Sequence, residues 1–178
     1  ASGLALAERL SSPVRLSFMG MPGVGKTTLI RALLGPDAPA MNGRAPTFEL
    51  AYGDKAMARL TFEDGTQRSF DSTDADTILE LSPCPSLRSI RVMEVVTDGS
   101  HSEMAAAAPW AVRRCEIPVW CSQNFDAYEA DIWSKVPAFR KDHAILVLTQ
   151  ADTVPADELA ARLQDAFDTE GTGFCLIA

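Results

Sequence analysis

The nine residues Gly20-Met21-Pro22-Gly23-Val24-Gly25-Lys26-Thr27-Thr28 constrain this chain more than any other stretch. They match G-x-x-x-x-G-K-[ST], and their flanks are the ones that pattern needs. Before them, Val14-Arg15-Leu16-Ser17-Phe18-Met19 reads as a buried strand; after them, Thr28 to Leu34 reads as an apolar helix stopped by Gly35-Pro36. Glycines at such a junction let the backbone curl with its N–H groups inward, and the helix N-terminus adds positive partial charge. The loop from Gly20 to Thr28 is thus expected to cradle phosphates. Lys26 would reach the β- and γ-phosphates, and the Thr27 hydroxyl would enter the coordination shell of Mg²⁺. A chance glycine turn would need neither the Lys-Thr pair nor the flanking strand.

At 178 residues the chain fits a single domain with a sizeable core, and it is read as one domain over 1–178. A net charge of −8 argues against a broad nucleic-acid-binding face, which needs clustered Lys and Arg. The four cysteines, Cys84, Cys115, Cys121 and Cys175, are scattered and form no C-x-x-C pair. Buried free thiols in a reducing cytoplasm are the expectation. No apolar run approaches the length of a membrane span and no signal sequence opens the chain, which leaves peripheral membrane contact open.

Along the chain, strands alternate with helices. A short helix is expected over Leu4 to Leu10, and the Pro-, Ala- and Gly-rich stretch from Pro36 to Pro46 is a long loop ending at Thr47. Phe48 to Tyr52 reads as a strand, followed by a turn at Gly53-Asp54. Ala58 to Phe62 and Gln67 to Phe70 read as a hairpin around Glu63-Asp64-Gly65. Thr73 to Leu81 reads as a helix, with Asp74 and Asp76 in its first turn. Further strands are expected at Ser89 to Val96, Ile117 to Cys121, Ala144 to Leu148 and Gly173 to Ala178. Helices are expected at Ser102 to Arg114, kinked or restarted by Pro109, and at Phe125 to Lys135 and Ala156 to Phe167. The alternation predicts an α/β fold of three layers, a mostly parallel central sheet with an antiparallel edge hairpin, and ligands at the carboxyl ends of its strands.

The phosphate loop alone does not choose a base, since its wording also suits ATPases and small kinases. Thr149-Gln150-Ala151-Asp152, closing the most apolar strand, resembles the [N/T]-[K/Q]-x-D motif of GTPases. Guanine offers two donors, N1–H and the 2-amino group, and one carboxylate accepts both; adenine has no such pair on that edge. Asp152 would read the base, Thr149 would brace the loop, and the Gln150 stem would cover one face of the ring. A bland strand-end turn rich in Thr and Asp is the alternative.

With both motifs, the chain resembles the G domain of dynamin-like and related TRAFAC-class GTPases, from the first strand to Asp152 and on to the last strand. The resemblance implies a Mg²⁺-dependent GTP/GDP-binding domain, with self-association or a protein partner. It also implies that Thr47 is a switch threonine on Mg²⁺, that Gly99 meets the γ-phosphate, and that a terminal helix is missing or the domain is excised from a longer protein.

One motif departs from the family. GTPases carry D-x-x-G after the third strand of their core. Aligning Gly99 with its Gly puts Val96 where the Asp belongs. Asp98 lies one residue before Gly99, and Glu94 lies upstream in the strand. Either Asp98 replaces the missing Asp through a shifted loop, or the metal's outer support is incomplete. The stretch Ser100-His101-Ser102-Glu103 after Gly99 has no Gln to orient an attacking water; His101 could do that work, a solvated bystander being the alternative. The expected catalytic residues are Lys26 and Thr47, and the expected metal residues are Thr27, Thr47 and Asp98. The expected function is GTP binding with slow hydrolysis in a switch or mechanochemical domain. The alternatives are a catalytically degenerate scaffold, or a P-loop ATPase or kinase.

Overall fold

The computed structural model describes residues 12–41, 47–61, 67–69, 77–170 and 175–177. The expected Leu4–Leu10 helix, the end of the Pro36–Pro46 loop and the Glu63-Asp64-Gly65 turn lie outside them. Among the described residues, nine strands form one sheet. β1 (Val14–Met19) is flanked by two parallel neighbours, β6 (Ile90–Glu94) and β7 (Ile117–Ser122). Beyond β7 the sheet continues in parallel through β8 (Ile145–Leu148) to β9 (Cys175–Ile177). On the other side β6 pairs antiparallel with β2 (Thr47–Tyr52), and β2 pairs in parallel with β5 (Thr77–Ser82). The hairpin of β3 (Met57–Thr61) and β4 (Gln67–Ser69) closes that edge, with β3 antiparallel to β5.

Alternation along the strands divides the core into two layers, because successive side chains leave a strand on opposite faces. Phe18, Val92, Val119 and Cys121 point to one face and pack against Ile30 and Leu34 of α1 (Lys26–Leu34). Met19, Met93, Trp120, Leu146 and Leu148 point to the other. There they meet Met104, Ala108, Ala111 and Val112 of α2 (His101–Val112), and Ile132 and Trp133 of α3 (Ala127–Ser134). After the single turn α4 (Ala138–Lys141), α5 (Ala156–Glu170) completes that layer through Ala166. Helix, sheet and helix make the three layers expected.

The stretch from Thr73 to Leu81 is a correction. Residues 77–82 form β5, not a helix, and the strand pairs on both sides, with β2 and β3. Its Asp-rich lead-in mimics a helix start. The Ile78–Glu80–Ser82 and Leu79–Leu81 alternation suits a strand, and the two flanking ladders satisfy its backbone. α2 runs through Pro109 without a restart, with Ala108, Ala111 and Val112 held in the core on either side of it.

Candidate functional site

Gly20 leaves β1 with φ of 133°, and a Cβ there would lie 2.0 Å from the Cys121 carbonyl oxygen, so only glycine permits this approach to β7. Gly23 and Gly25 follow at φ of 75° and 104°, Gly25 serving as the N-cap of α1. These turns reverse the backbone around Lys26. Its ammonium donates to the carbonyls of Gly20 at 2.8 Å and Met21 at 3.0 Å. Three N–H bonds are available to an ammonium, so one remains for a ligand. Burial lowers the Lys26 pKa, and the neighbouring Glu94 carboxylate opposes that shift.

The loop opens on a cavity of about 330 Å³ lined by Pro22, Gly23, Lys26, Thr27, Thr28, Glu94, Val96 and Thr97, among others. The Thr27 hydroxyl donates to Glu94 Oε1 at 2.7 Å. Glu94 is buried, and its Oε2 has no hydrogen-bond partner among the described residues. Desolvation raises the Glu94 pKa against the pull of the Thr27 hydroxyl, Lys26 and Arg31. A hydroxyl and an orphaned carboxylate oxygen beside a phosphate loop are hard-oxygen donors, the set Mg²⁺ accepts. No cluster of three His, Cys, Asp or Glu side chains occurs among the described residues. A Mg²⁺ held partly by phosphates needs none.

Thr149 joins the end of β8 to this loop. Its hydroxyl is shared between the Val24 carbonyl at 2.6 Å and the Ser122 carbonyl at 3.0 Å, and its methyl lies under Gly25. Gln150 adopts φ of 57°, unusual without glycine, and throws Asp152 onto a short exposed 3₁₀ turn (Ala151–Thr153). Backbone strain of this kind collects at binding sites.

No protein-family model and no curated protein matches the sequence. Solved structures do. Two structures of an oligomerised bacterial dynamin pair, described as sensing and tethering membranes, superpose at TM-scores of 0.64 and 0.62 with 16% and 15% identity. A bacterial selenocysteine-specific elongation factor superposes at 0.51 with 16% identity. They cover 94%, 97% and 93% of this chain. The chain has a G-domain fold. It spans 30%, 31% and 25% of those chains' lengths, and at such identity the likeness speaks for the fold alone.

Within the G domain, the expected site residues divide. Pro22, Gly23, Gly25, Lys26, Thr27 and Thr28 line the cavity, Gly20 and Met21 hold the Lys26 ammonium through their carbonyls, and Val24 is buried beneath with its carbonyl accepting from the Thr149 hydroxyl. Gly99, at φ of 84°, packs on Pro22, where an added Cβ would sit 3.0 Å from its Cδ. Thr47 opens β2, buried, and its hydroxyl accepts the Val96 N–H at 3.2 Å. Asp98 is turned elsewhere. Its exposed carboxylate accepts from the Ser100 N–H at 2.7 Å, while its own N–H donates to Glu103. His101 faces α3, with Nε2 2.7 Å from Asp131 Oδ2 and its ring edge-on to Tyr128. The residue passed over in the sequence is Glu94. The sequence shows only an acid in an apolar strand; that it faces the phosphate loop follows from strand register.

Proposed function

We propose that this G domain binds GTP and GDP with Mg²⁺ and hydrolyses GTP slowly, as a nucleotide-controlled switch or mechanochemical domain. The observation that carries the reading is the Thr149 hydroxyl on the Val24 carbonyl, which ties the base-reading segment to the phosphate loop. In this reading Lys26 and the loop N–H groups hold the phosphates, Asp152 accepts the two guanine donors, and Gln150 covers the ring. Thr27 holds the metal from the protein side, with Thr47 as a further candidate; Asp98, expected there from the sequence, is exposed and closes its own turn through Ser100. When bound, Mg²⁺ neutralises charge between the β- and γ-phosphates. In this reading Gly99 meets the γ-phosphate and Thr97 lines the cavity nearby, so that segment would report hydrolysis to a partner or a second copy.

Hydrolysis is slow in this reading because His101, the sequence candidate for orienting a water, is engaged with Asp131. A second reading is favoured by Val96, which lines the cavity where a carboxylate would otherwise stand. It makes the domain a nucleotide-binding scaffold without turnover. Titration of fluorescent GTP and ATP, with and without Mg²⁺, followed by phosphate release, separates them. Preference for GTP with slow release supports the first reading, GTP binding without release the second. Preference for ATP would overturn both.

A further inference from the structure

We propose that Glu94, and not Asp98, supplies the carboxylate that supports the divalent cation of this site. The inference rests on the nucleotide-binding reading above and deepens it. Parallel pairing sets Phe18 of β1 opposite Glu94, and the Val95 N–H donates to the Phe18 carbonyl at 3.0 Å. Gly20, two residues beyond Phe18, begins the phosphate loop, so Glu94 ends its strand level with the loop's entrance. Side chains alternate along β6: Val92 faces the α1 layer and so does Glu94. The first turn of α1 carries Thr27, whose hydroxyl meets Glu94 Oε1 at 2.7 Å.

Two features set Glu94 apart from an ordinary buried acid. Its exposure is 3%, yet Oε2 has no hydrogen-bond partner among the described residues, and the side chain lines the cavity together with Lys26 and Thr27. A buried acceptor left bare is unfavourable unless a ligand completes it. The ligand must be cationic or a donor, small, and compatible with a hydroxyl and an ammonium alongside. A hard divalent cation, itself hydrated or phosphate-bound, meets those demands. The other carboxylate in the segment is already used: Asp98 is exposed and closes its own turn through Ser100. The extra methylene of Glu relative to Asp gives reach, which is consistent with an acid five residues before Gly99 where D-x-x-G has it three before.

The test measures retention of fluorescent GDP with Mg²⁺ and with EDTA, for the intact chain and for Glu94→Gln and Asp98→Asn. Manganese binding to the nucleotide complex is read separately by electron paramagnetic resonance. For the intact chain, Mg²⁺ should tighten GDP about tenfold or more. Glu94→Gln should lose about 10–100-fold in Mn²⁺ affinity, the range seen when a metal's supporting carboxylate is removed, with its own GDP affinity in EDTA as the baseline for its metal increment. Asp98→Asn should keep the full metal increment. A Glu94→Gln protein with an unchanged metal increment, or an Asp98→Asn protein that loses it, overturns the proposal. If Glu94→Gln fails to fold, Glu94→Asp replaces it, and undiminished Mn²⁺ affinity in that variant overturns the proposal as well. Absence of GDP binding by the intact chain would instead sink the nucleotide reading. GDP binding that Mg²⁺ leaves unchanged would sink only the role of Glu94.

Discussion

Lys26 shows how much one side chain at a loop centre depends on its surroundings. Its burial disfavours the charged form, the Glu94 carboxylate opposes that shift, and the Gly20 and Met21 carbonyls hold the ammonium in place. Lys26→Ala should therefore remove about 2–5 kcal/mol of nucleotide binding, the range for truncating one partner of a buried charged pair, without unfolding the domain. Isothermal titration with GTP checks this, and unchanged affinity would rule out the phosphate-loop assignment. Asp152 is exposed on its 3₁₀ turn, so its replacement leaves the fold alone. Asp152→Asn should weaken GTP about tenfold or more through loss of charge-assisted hydrogen bonds, with ATP unaffected. Equal losses for both nucleotides would count against base reading. Gly20 is constrained by space. A methyl at 2.0 Å from the Cys121 carbonyl forces the loop away from β7, and φ of 133° adds backbone strain. Gly20→Ala should lower stability by about 3 kcal/mol or more in urea unfolding; a loss under 1 kcal/mol would show that the loop yields easily.

At the scale of elements, the segment 97–100 is held to its neighbours by a few polar contacts. The Tyr128 hydroxyl of α3 donates to the Gly99 carbonyl at 2.8 Å, and Ser100 caps α2 by accepting the Glu103 N–H. Glu103 accepts the Asp98 N–H at 2.7 Å, and the Ser100 N–H donates to Asp98 Oδ1 at 2.7 Å. Tyr128→Phe removes one exposed bond, so global stability should change by about 1 kcal/mol or less. Amide exchange in residues 97–100 should quicken while that of β1 and β7 stays the same. Unaltered exchange at 97–100 would mean that α3 does not restrain the segment. The same scale holds the misread element. β5 lies between β2 and β3, and its strand identity comes from those two ladders. A local reading of Asp-rich residues followed by Leu sees a helix start.

At the scale of the molecule, Glu129 links the central sheet to the α3 layer. Its two oxygens accept from the Trp120 indole at 3.0 Å and the Ser122 hydroxyl at 2.6 Å, both on β7. Burial raises its pKa above the ordinary 4.5, with those two hydrogen bonds pulling the other way. The folded protein therefore holds this proton after the unfolded chain has released it. The stability so contributed is present below about pH 4.5 and falls as pH rises through the folded pKa. Glu129→Gln has no proton to lose. The stability of the intact chain relative to the variant should thus decline with rising pH across that window in urea melts; a constant or rising difference would refute the assignment. Burial also pushes the Cys115 and Cys121 thiols up to about 12, so both stay protonated and inert at neutral pH.

Much of this architecture was legible locally. Short, largely apolar runs in Val14–Met19, Ile117–Ser122 and Ile145–Leu148 announce buried strands. The glycine spacing with Lys26 and Thr27 announces the phosphate loop, because positive φ and a helix N-terminus are properties of neighbouring residues. The three layers follow from the order of those elements. What the tertiary structure decided is what depends on partners far away in the chain. β5 is a strand because two others pair with it. Asp98 is spent on its own turn. Glu94 reaches Thr27 across 67 residues because the β1–β6 register and the alternation of β6 turn it toward α1. Motif spacing counts residues along the chain, whereas a carboxylate is placed by strand register and side-chain reach, so the phosphate loop could be read in advance and the acid facing it could not.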